Sequence, residues 1–528
     1  MNHLDAPTVA NSSKPALEFD PVPIQEFMRQ QEINDFLEQA ETEYWYSNPD
    51  QPPPRHDTQL KREVSTAPTK SDVGYADAFS EVYKDRIKYI VEEQTWLVFT
   101  ETRGWHRDIS GEVLGLASDF AREQLEEAQE KVKTMTDHRA AAACLGSAIR
   151  LGNMNRISPA LELAKVNRQL VVSIQELDRE PYLLGTLNGV VDLRDGSFRP
   201  HDPKVLVTRS VACIFDPSAE CPTFMRFLEE VQPDPEMRAY LQRLFGYALT
   251  GNMGEHILPF HYGVGANGKG TTLEQTFLKL MGSYGSKVTD ELVYANSKGT
   301  SPNLEIAGLC GVRFAVGEEN EAGGNLNERL LKAITGGDRQ KGRFHYKPFF
   351  EYTPTAKIHL VGNHRPKITG RDDGIWRRFR LIDWGVQIPA ERQDHRFSER
   401  LEPEFPGILN WAIKGEIARG AEGTRPPACV LAATSKFRED SDIFGDFLRE
   451  KTVDDENGRI AKSDLFQLYK AYCEDQEIQP RYRITKRVFG NRIVERGYGE
   501  ARGRGGEHVW RGIRKGISAD TPTESLID

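Results

Sequence analysis

The chain has no cysteine framework, no long apolar run and no surplus of positive charge, and each absence narrows what it can be. Cys144, Cys213, Cys221, Cys310, Cys429 and Cys473 are scattered without a Cys-x-x-Cys pair, which points to neither a zinc ribbon nor a disulfide scaffold. Reduced, mostly buried thiols are expected. No apolar stretch approaches the ~20 residues that a bilayer span needs. The opening Met1-Asn-His-Leu-Asp-Ala-Pro7 lacks a basic-then-apolar leader, so a cytoplasmic protein is expected. A net charge of −10 argues against a coat of nucleic acid but leaves room for a local basic channel, because binding follows the local field. The 528 residues, 38% hydrophobic and 28% charged, suit a globular chain. At ~150 residues per domain, three or four domains are expected.

What is present is led by Gly263-Val-Gly-Ala-Asn-Gly-Lys269-Gly-Thr271. An apolar run, Ile257–Phe260, precedes it and a helical pattern from Thr272 to Met281 follows. Strand, glycine-rich turn and helix form the context of a phosphate-binding loop. Gly263, Gly265, Ala266, Asn267, Gly268 and Gly270 let backbone N–H groups converge on phosphate oxygens, and Lys269 reaches the β- and γ-phosphates. The hydroxyl usual directly after the lysine is replaced by Gly270, so Thr271 is the next candidate Mg²⁺ ligand, with Thr272 beside it. ATP and Mg²⁺ are the implied cofactors.

Further along, Gly311–Glu319 is an apolar strand ending in two carboxylates, Glu318 and Glu319, suited to holding Mg²⁺ and polarising an attacking water. Ile358-His-Leu-Val-Gly-Asn363 is another buried strand, and its terminal amide can orient that water. Asp373–Arg378 carries adjacent guanidiniums, Arg377 and Arg378, of the kind a neighbouring subunit inserts to stabilise a transferring phosphoryl group. Between these, Arg343–Lys357 interleaves basic and aromatic residues with β character. Two helical patterns in 221–250 could form a collar in front of an ATPase core or simply pack into it.

Residues 1–70 read as a disordered arm with one possible helix, Ile24–Glu41. Residues 71–215 read as an α+β domain, with helices at Tyr75–Tyr89, Gly111–Met135 and Ala140–Ile149 and strands around Trp96–Trp105 and Pro181–Gly196. The motor takes 216–425, ending in a helix at Phe405–Arg419 and a linker at Gly420–Pro427. Within 441–515, three helical patterns and a glycine-rich hairpin fit a winged helix, and 516–528 form a tail. Basic residues gather there, including Lys486, Arg487, Arg502 and Arg504, which suggests contact with a DNA backbone. A solvated basic face or a protein-docking surface is the alternative.

With these motifs in place, the chain resembles the helicase half of phage and plasmid primase–helicases, kin of the poxvirus primase–helicase, within the superfamily 3 helicases. The resemblance rests on Asn188-Gly-Val-Val-Asp-Leu193, Gly265–Lys269, the strand to Glu319, Lys332 with Thr335–Asp338, Arg343, Asn363–Pro366 and Trp376–Arg378. It implies a multidomain α/β protein: an AAA+-like P-loop ATPase core, an α+β domain before it and a winged helix after it. It also implies a hexameric ring moving 3′ to 5′ on single-stranded DNA at a fork, in a bacterial cytoplasm, with a separate primase or host replication proteins as possible partners and no membrane. By residue match, Glu319 is the Walker B acid, Asn363 the sensor and Arg377 or Arg378 the finger in trans. Arg343, His345 and Lys347 become candidate DNA contacts. The family's longer members carry a primase domain in front; none is expected here. An initiator or loader that grips DNA without unwinding it would keep every motif, whereas a small-molecule phosphotransferase is disfavoured by the paired arginines and the basic tail.

Overall fold

The computed structural model describes residues 71–516, except 296–301, 319–323, 369–372, 395, 477, 479, 481–482 and 504–505. The arm, its expected helix and the last residues therefore lie outside the described part, as do Glu319 and Arg504. Among the described residues no helix is long and apolar enough to cross a membrane, and all six cysteines are free.

The described part opens with the helix Asp72–Tyr83, whose N-terminus is capped by Ser71 accepting from the Gly74 N–H at 3.1 Å. The expected helix to Tyr89 stops early because Ile87–Ile90 (β1) is drawn into a sheet with Thr95–Thr100 (β2). Gly104–Arg107 (β3) and Val171–Val172 (β4) complete the order β3-β2-β1-β4. Helices Glu112–Thr134, His138–Leu151 and Met154–Ala164 pack beside it. The third of these contains Pro159, which masks it in the sequence. Leu183–Thr186 (β5), Gly189–Asp192 (β6) and Ser197–Arg199 (β7) form an antiparallel meander turned at Asn188 and Asp195-Gly196.

The central domain is built on a five-stranded sheet of Leu258–Tyr262 (β8), Gly285–Val288 (β9), Phe314–Glu318 (β10), Lys357–Gly362 (β13) and Phe379–Asp383 (β14). A two-stranded hairpin of Gln340–Gly342 (β11) and Phe350–Tyr352 (β12) leaves it between β10 and β13. The order is β14-β8-β13-β10-β9 and every pairing is parallel. The inner strands β8, β13 and β10 are buried on both faces, which accounts for their mostly apolar sequences. The helices Pro222–Val231 and Pro235–Leu249 pack into the core: Phe245 lies 4.4 Å from Phe277 and 6.3 Å from Phe314, ring centre to ring centre. Their use as core packing is thus direct.

Beyond the helix Phe405–Glu422, the expected linker is shortened to 423–427, and a further helix, Ala428–Asp440, follows it. Its Thr434 hydroxyl accepts from Leu381 N at 3.0 Å, and its Phe437 ring packs against Trp376 and Phe379, closing the flank of β14. The final module holds helices Ile443–Lys451, Lys462–Asp475 and Lys486–Glu495 with the sheet β15-β17-β16, from Thr452–Ala461 (β15), Gly499–Arg502 (β16) and His508–Lys515 (β17). Phe444, Phe447, Tyr469, Phe489 and Trp510 fill its core.

Candidate functional site

In an open α/β sheet, ligands bind outside the carboxyl ends of the strands, where the strand order reverses. Here β8 lies between β14 and β13, and the loop 263–271 leaves its carboxyl end. Gly268 adopts φ +81°, and a Cβ there would stand 2.7 Å from Val231 and 2.9 Å from Phe227, so glycine is required on two counts. Asn267 fixes the turn, its Nδ2 donating to Trp384 O at 3.1 Å and its Oδ1 accepting from Lys269 N at 3.3 Å.

Lys269 is only 5% exposed. Its ammonium donates to the Gly263 carbonyl and, at 3.0 Å, to Asn363 Oδ1. The first residue of the loop, its lysine and the amide at the end of β13 thus converge on one point. Thr272 is buried, with its hydroxyl donating to Gly268 O at 2.9 Å. Thr271 is half-buried and its hydroxyl makes no hydrogen bond among the described residues, so it is the hydroxyl open to a ligand. From Thr271 to Leu278 the helix widens to a π-helix, a form concentrated at functional sites.

Glu318, at the end of β10, is exposed and already engaged: Lys287 donates to it at 2.6 Å and to Glu274 at 2.6 Å. The Lys287 ammonium lowers the pKa of Glu318, while burial raises that of Glu274. Glu274 sits on the helix after the phosphate loop and Lys287 on β9, so this bridge ties three elements at the site's rim. The sequence signal for Lys287 was a charge at the carboxyl end of a strand, beside buried Val288.

Under the loop runs a buried hydrogen-bond chain that the motifs did not reveal. Trp384 Nε1 donates to His261 Nδ1 at 3.1 Å, and His261 Nε2 lies 3.1 Å from His359 Nδ1. An indole can only donate, so His261 carries its proton on Nε2 and gives it to His359 Nδ1. His359 then holds its proton on Nε2, which has no partner. Burial lowers the pKa of His261 well below its ordinary value and that of His359 to about 3, keeping both neutral. Their signal was a polar residue inside each of two apolar strands.

This pair makes folding acid-sensitive. The unfolded imidazoles take up protons near pH ~6.5, whereas folded His359 resists to about 3. The contribution is full above ~6.5 and is lost as the pH falls below it. Urea midpoints should drop between about pH 7 and about pH 5, and His359→Phe should flatten that slope; an unchanged slope in the variant would refute the neutral pair.

The adjacent arginines separate. Arg378 is 8% exposed and donates to Gly374 O at 2.7 Å, whereas Arg377 faces solvent. Both precede β14, whose parallel register pairs Phe379 with Leu258 and Asp383 with Tyr262. They therefore lie at the amino end of the sheet and Gly263 at the carboxyl end, about 16 Å or more away at ~3.3 Å per residue. Neither can serve the site of its own chain.

The β11–β12 hairpin projects a tip, 343–349. Tyr346 is fully exposed and Phe349 is 46% exposed, with the Arg343 guanidinium 4.8 Å from the Phe349 ring centre. His345 is exposed as well, whereas Lys347 is half-buried and held by Gln94 Oε1 at 2.6 Å. In the last module Lys486, Arg487 and Arg502 are exposed with no ion pair among the described residues. Arg483, Arg496 and Arg514 are instead paired with Glu474, Asp442 and Asp455.

Residues 76–233 match the family described as D5 N terminal like, and residues 439–496 match the family described as Poxvirus D5 protein-like. The chain carries D5-type primase–helicase-like domains. The loop 263–271 falls between the two matched segments. The chain is 30% identical over 319 residues to a protein named "Putative helicase" of Acanthamoeba polyphaga mimivirus, covering 56% of this chain and 33% of the relative. A "Putative helicase" of Frog virus 3 is 28% identical over 309 residues, covering 54% and 30% respectively. The chain thus spans about a third of these relatives. The solved C-terminal region of NrS-1 overlays with a TM-score of 0.45 at 10% identity, covering 84% of this chain and 99% of that one.

Proposed function

We propose that the chain is the ATP-driven motor of a replicative DNA helicase of a virus or other mobile element. In this reading it is a superfamily 3 ring, hexameric, that draws single-stranded DNA 3′ to 5′ through its centre. The observation that carries it is the Lys269 ammonium held between Gly263 O and Asn363 Oδ1 at the carboxyl ends of adjacent strands. A lysine so placed is released from the asparagine when phosphate oxygens arrive, and the freed amide can orient a water on the γ-phosphate. The parallel sheet, with the asparagine strand inserted beside the loop strand, fits an AAA+-like core. Mg²⁺, held by Thr271 and Glu319, would neutralise charge developing on the β- and γ-phosphates. Glu318 would steady the rim through Lys287. The exposed Arg377 is the finger offered to the next subunit, and Arg378 braces the segment that carries it.

For DNA, Arg343, His345 and the aromatic tip supply charge and stacking surface. The C-terminal module reads as a winged helix that presents Lys486 and Arg487 at a helix start and Arg502 on the wing. A forked duplex with a labelled strand tests the proposal. ATP should drive displacement, and single-stranded DNA should stimulate hydrolysis. Hydrolysis without displacement would replace the helicase by an initiator or loader.

A further inference from the structure

A cleft of about 780 Å³ opens away from the phosphate loop, walled by residues of the N-terminal layer, the motor and the β11–β12 hairpin. Six cationic side chains line it, Arg107, Arg179, Arg209, Arg313, Arg339 and Lys347, against three carboxylates, Glu93, Asp178 and Glu351. That balance is the reverse of the chain's net charge of −10.

The carboxylates are largely spent. Glu93 takes Arg107 in a two-pronged pair at 2.7 Å on each side. Asp178 accepts from Thr208 N at 2.9 Å and from its hydroxyl at 2.6 Å. Arg179, Arg209, Arg313 and Arg339 have no ion pair among the described residues. Arg209 donates to the carbonyls of Ser283 and, at 2.6 Å, Cys310, and a Cβ on Gly311 would collide with its guanidinium. Burial pushes its pKa down, yet a guanidinium stays charged. Arg313 is 2% exposed, donates to the carbonyls of Leu249 and Leu183 at 2.7 and 2.8 Å, and lies 4.4 Å from the Tyr284 ring centre. Asp178 attracts Arg209 without pairing to it, and guanidiniums set mainly among neutral carbonyls carry a burial cost that an added anion would offset.

We propose that this cleft binds a phosphate-bearing ligand of nucleotide size, as an anion site separate from the phosphate loop. Four unpaired guanidiniums call for more than one negative charge, and their forked donors match phosphate oxygens. The volume lies within the ~300–1,000 Å³ of small-ligand sites. The phosphates belong to a free nucleotide or to the backbone of a single strand, since Phe344 and Tyr352 on the wall can face a base in either case.

The exposed pair Arg179 and Arg339 allows a test that spares the buried wall. Calorimetry would titrate the full chain carrying Lys269→Ala with pyrophosphate, with ATP and with a ten-residue oligothymidylate. At least one probe should bind saturably, and adding Arg179→Ala with Arg339→Ala should weaken it about tenfold or more, at an unchanged melting temperature. Loss confined to the oligonucleotide would assign the phosphates to a strand, and loss for ATP or pyrophosphate to a free nucleotide. Saturable binding of no probe, or affinities indifferent to both substitutions, would overturn the proposal. Because no hydrolysis or unwinding is read, failure here leaves the motor's assignment untouched.

Discussion

Lys269→Ala should cut ATP hydrolysis by roughly a hundred- to a thousandfold or more, the usual scale for deleting a group that stabilises transition-state charge. Two features make this a loss of chemistry rather than of folding. The ammonium donates to Gly263 O and Asn363 Oδ1, and Asn363 is exposed and regains water when the lysine is gone. The loop itself is held by Asn267 and Gly268, which the substitution does not touch. Circular dichroism and the melting temperature should therefore stay near those of the parent while steady-state turnover collapses. Lys269→Met, which keeps the stem's packing, should be as inactive as the alanine variant. Parental turnover in either would remove the loop from the reaction.

How far the chain could be read in advance follows from what each feature needs. The loop stood out because a phosphate-binding turn would need glycines and a lysine at fixed local spacing, and the tight turn at Gly268 requires glycine by both its dihedral and its missing Cβ. Three parallel strands, β8, β10 and β13, were legible because burial makes them mostly apolar, whereas the edge strands Gly285–Val288 and Phe379–Asp383 carry Lys287, Arg380 and Asp383 and gave no such signal. Other elements hid behind local signals that tertiary contacts override. Gly423–Pro427 is a linker as read, but the helix Ala428–Asp440 after it gave no clear periodic signal and is fixed where Phe437 meets Trp376 and Phe379. β15 contains Asp454-Asp455-Glu456-Asn457-Gly458, too polar to suggest a strand, and is fixed instead by pairing with β17 across a register shift. The two hydrogen bonds that link Trp384, His261 and His359 join residues 123 and 98 positions apart, so only the sheet order brings them together. The same holds for the cleft, whose arginines come from separate segments.

Arg377→Ala should lower hydrolysis by about 10³-fold or more, within the range for a finger arginine, while leaving ATP affinity near that of the parent. Arg378→Ala should act differently. Arg378 is buried and anchored on Gly374 O at the base of β14, so its removal strands polar partners in the core and should lower the melting temperature first. Both residues sit at the end of the sheet opposite the phosphate loop, which gives a sharper test than either rate. Subunits carrying Lys269→Ala and subunits carrying Arg377→Ala should each be inactive alone. Mixed, they create interfaces in which an intact Lys269 meets an intact Arg377 from the neighbouring chain, and part of the hydrolysis should return. No recovery on mixing, with both variants folded and assembled, would place the arginine's action within its own chain. The distance along β14 and β8 forbids that, and the shared site would then have to be abandoned.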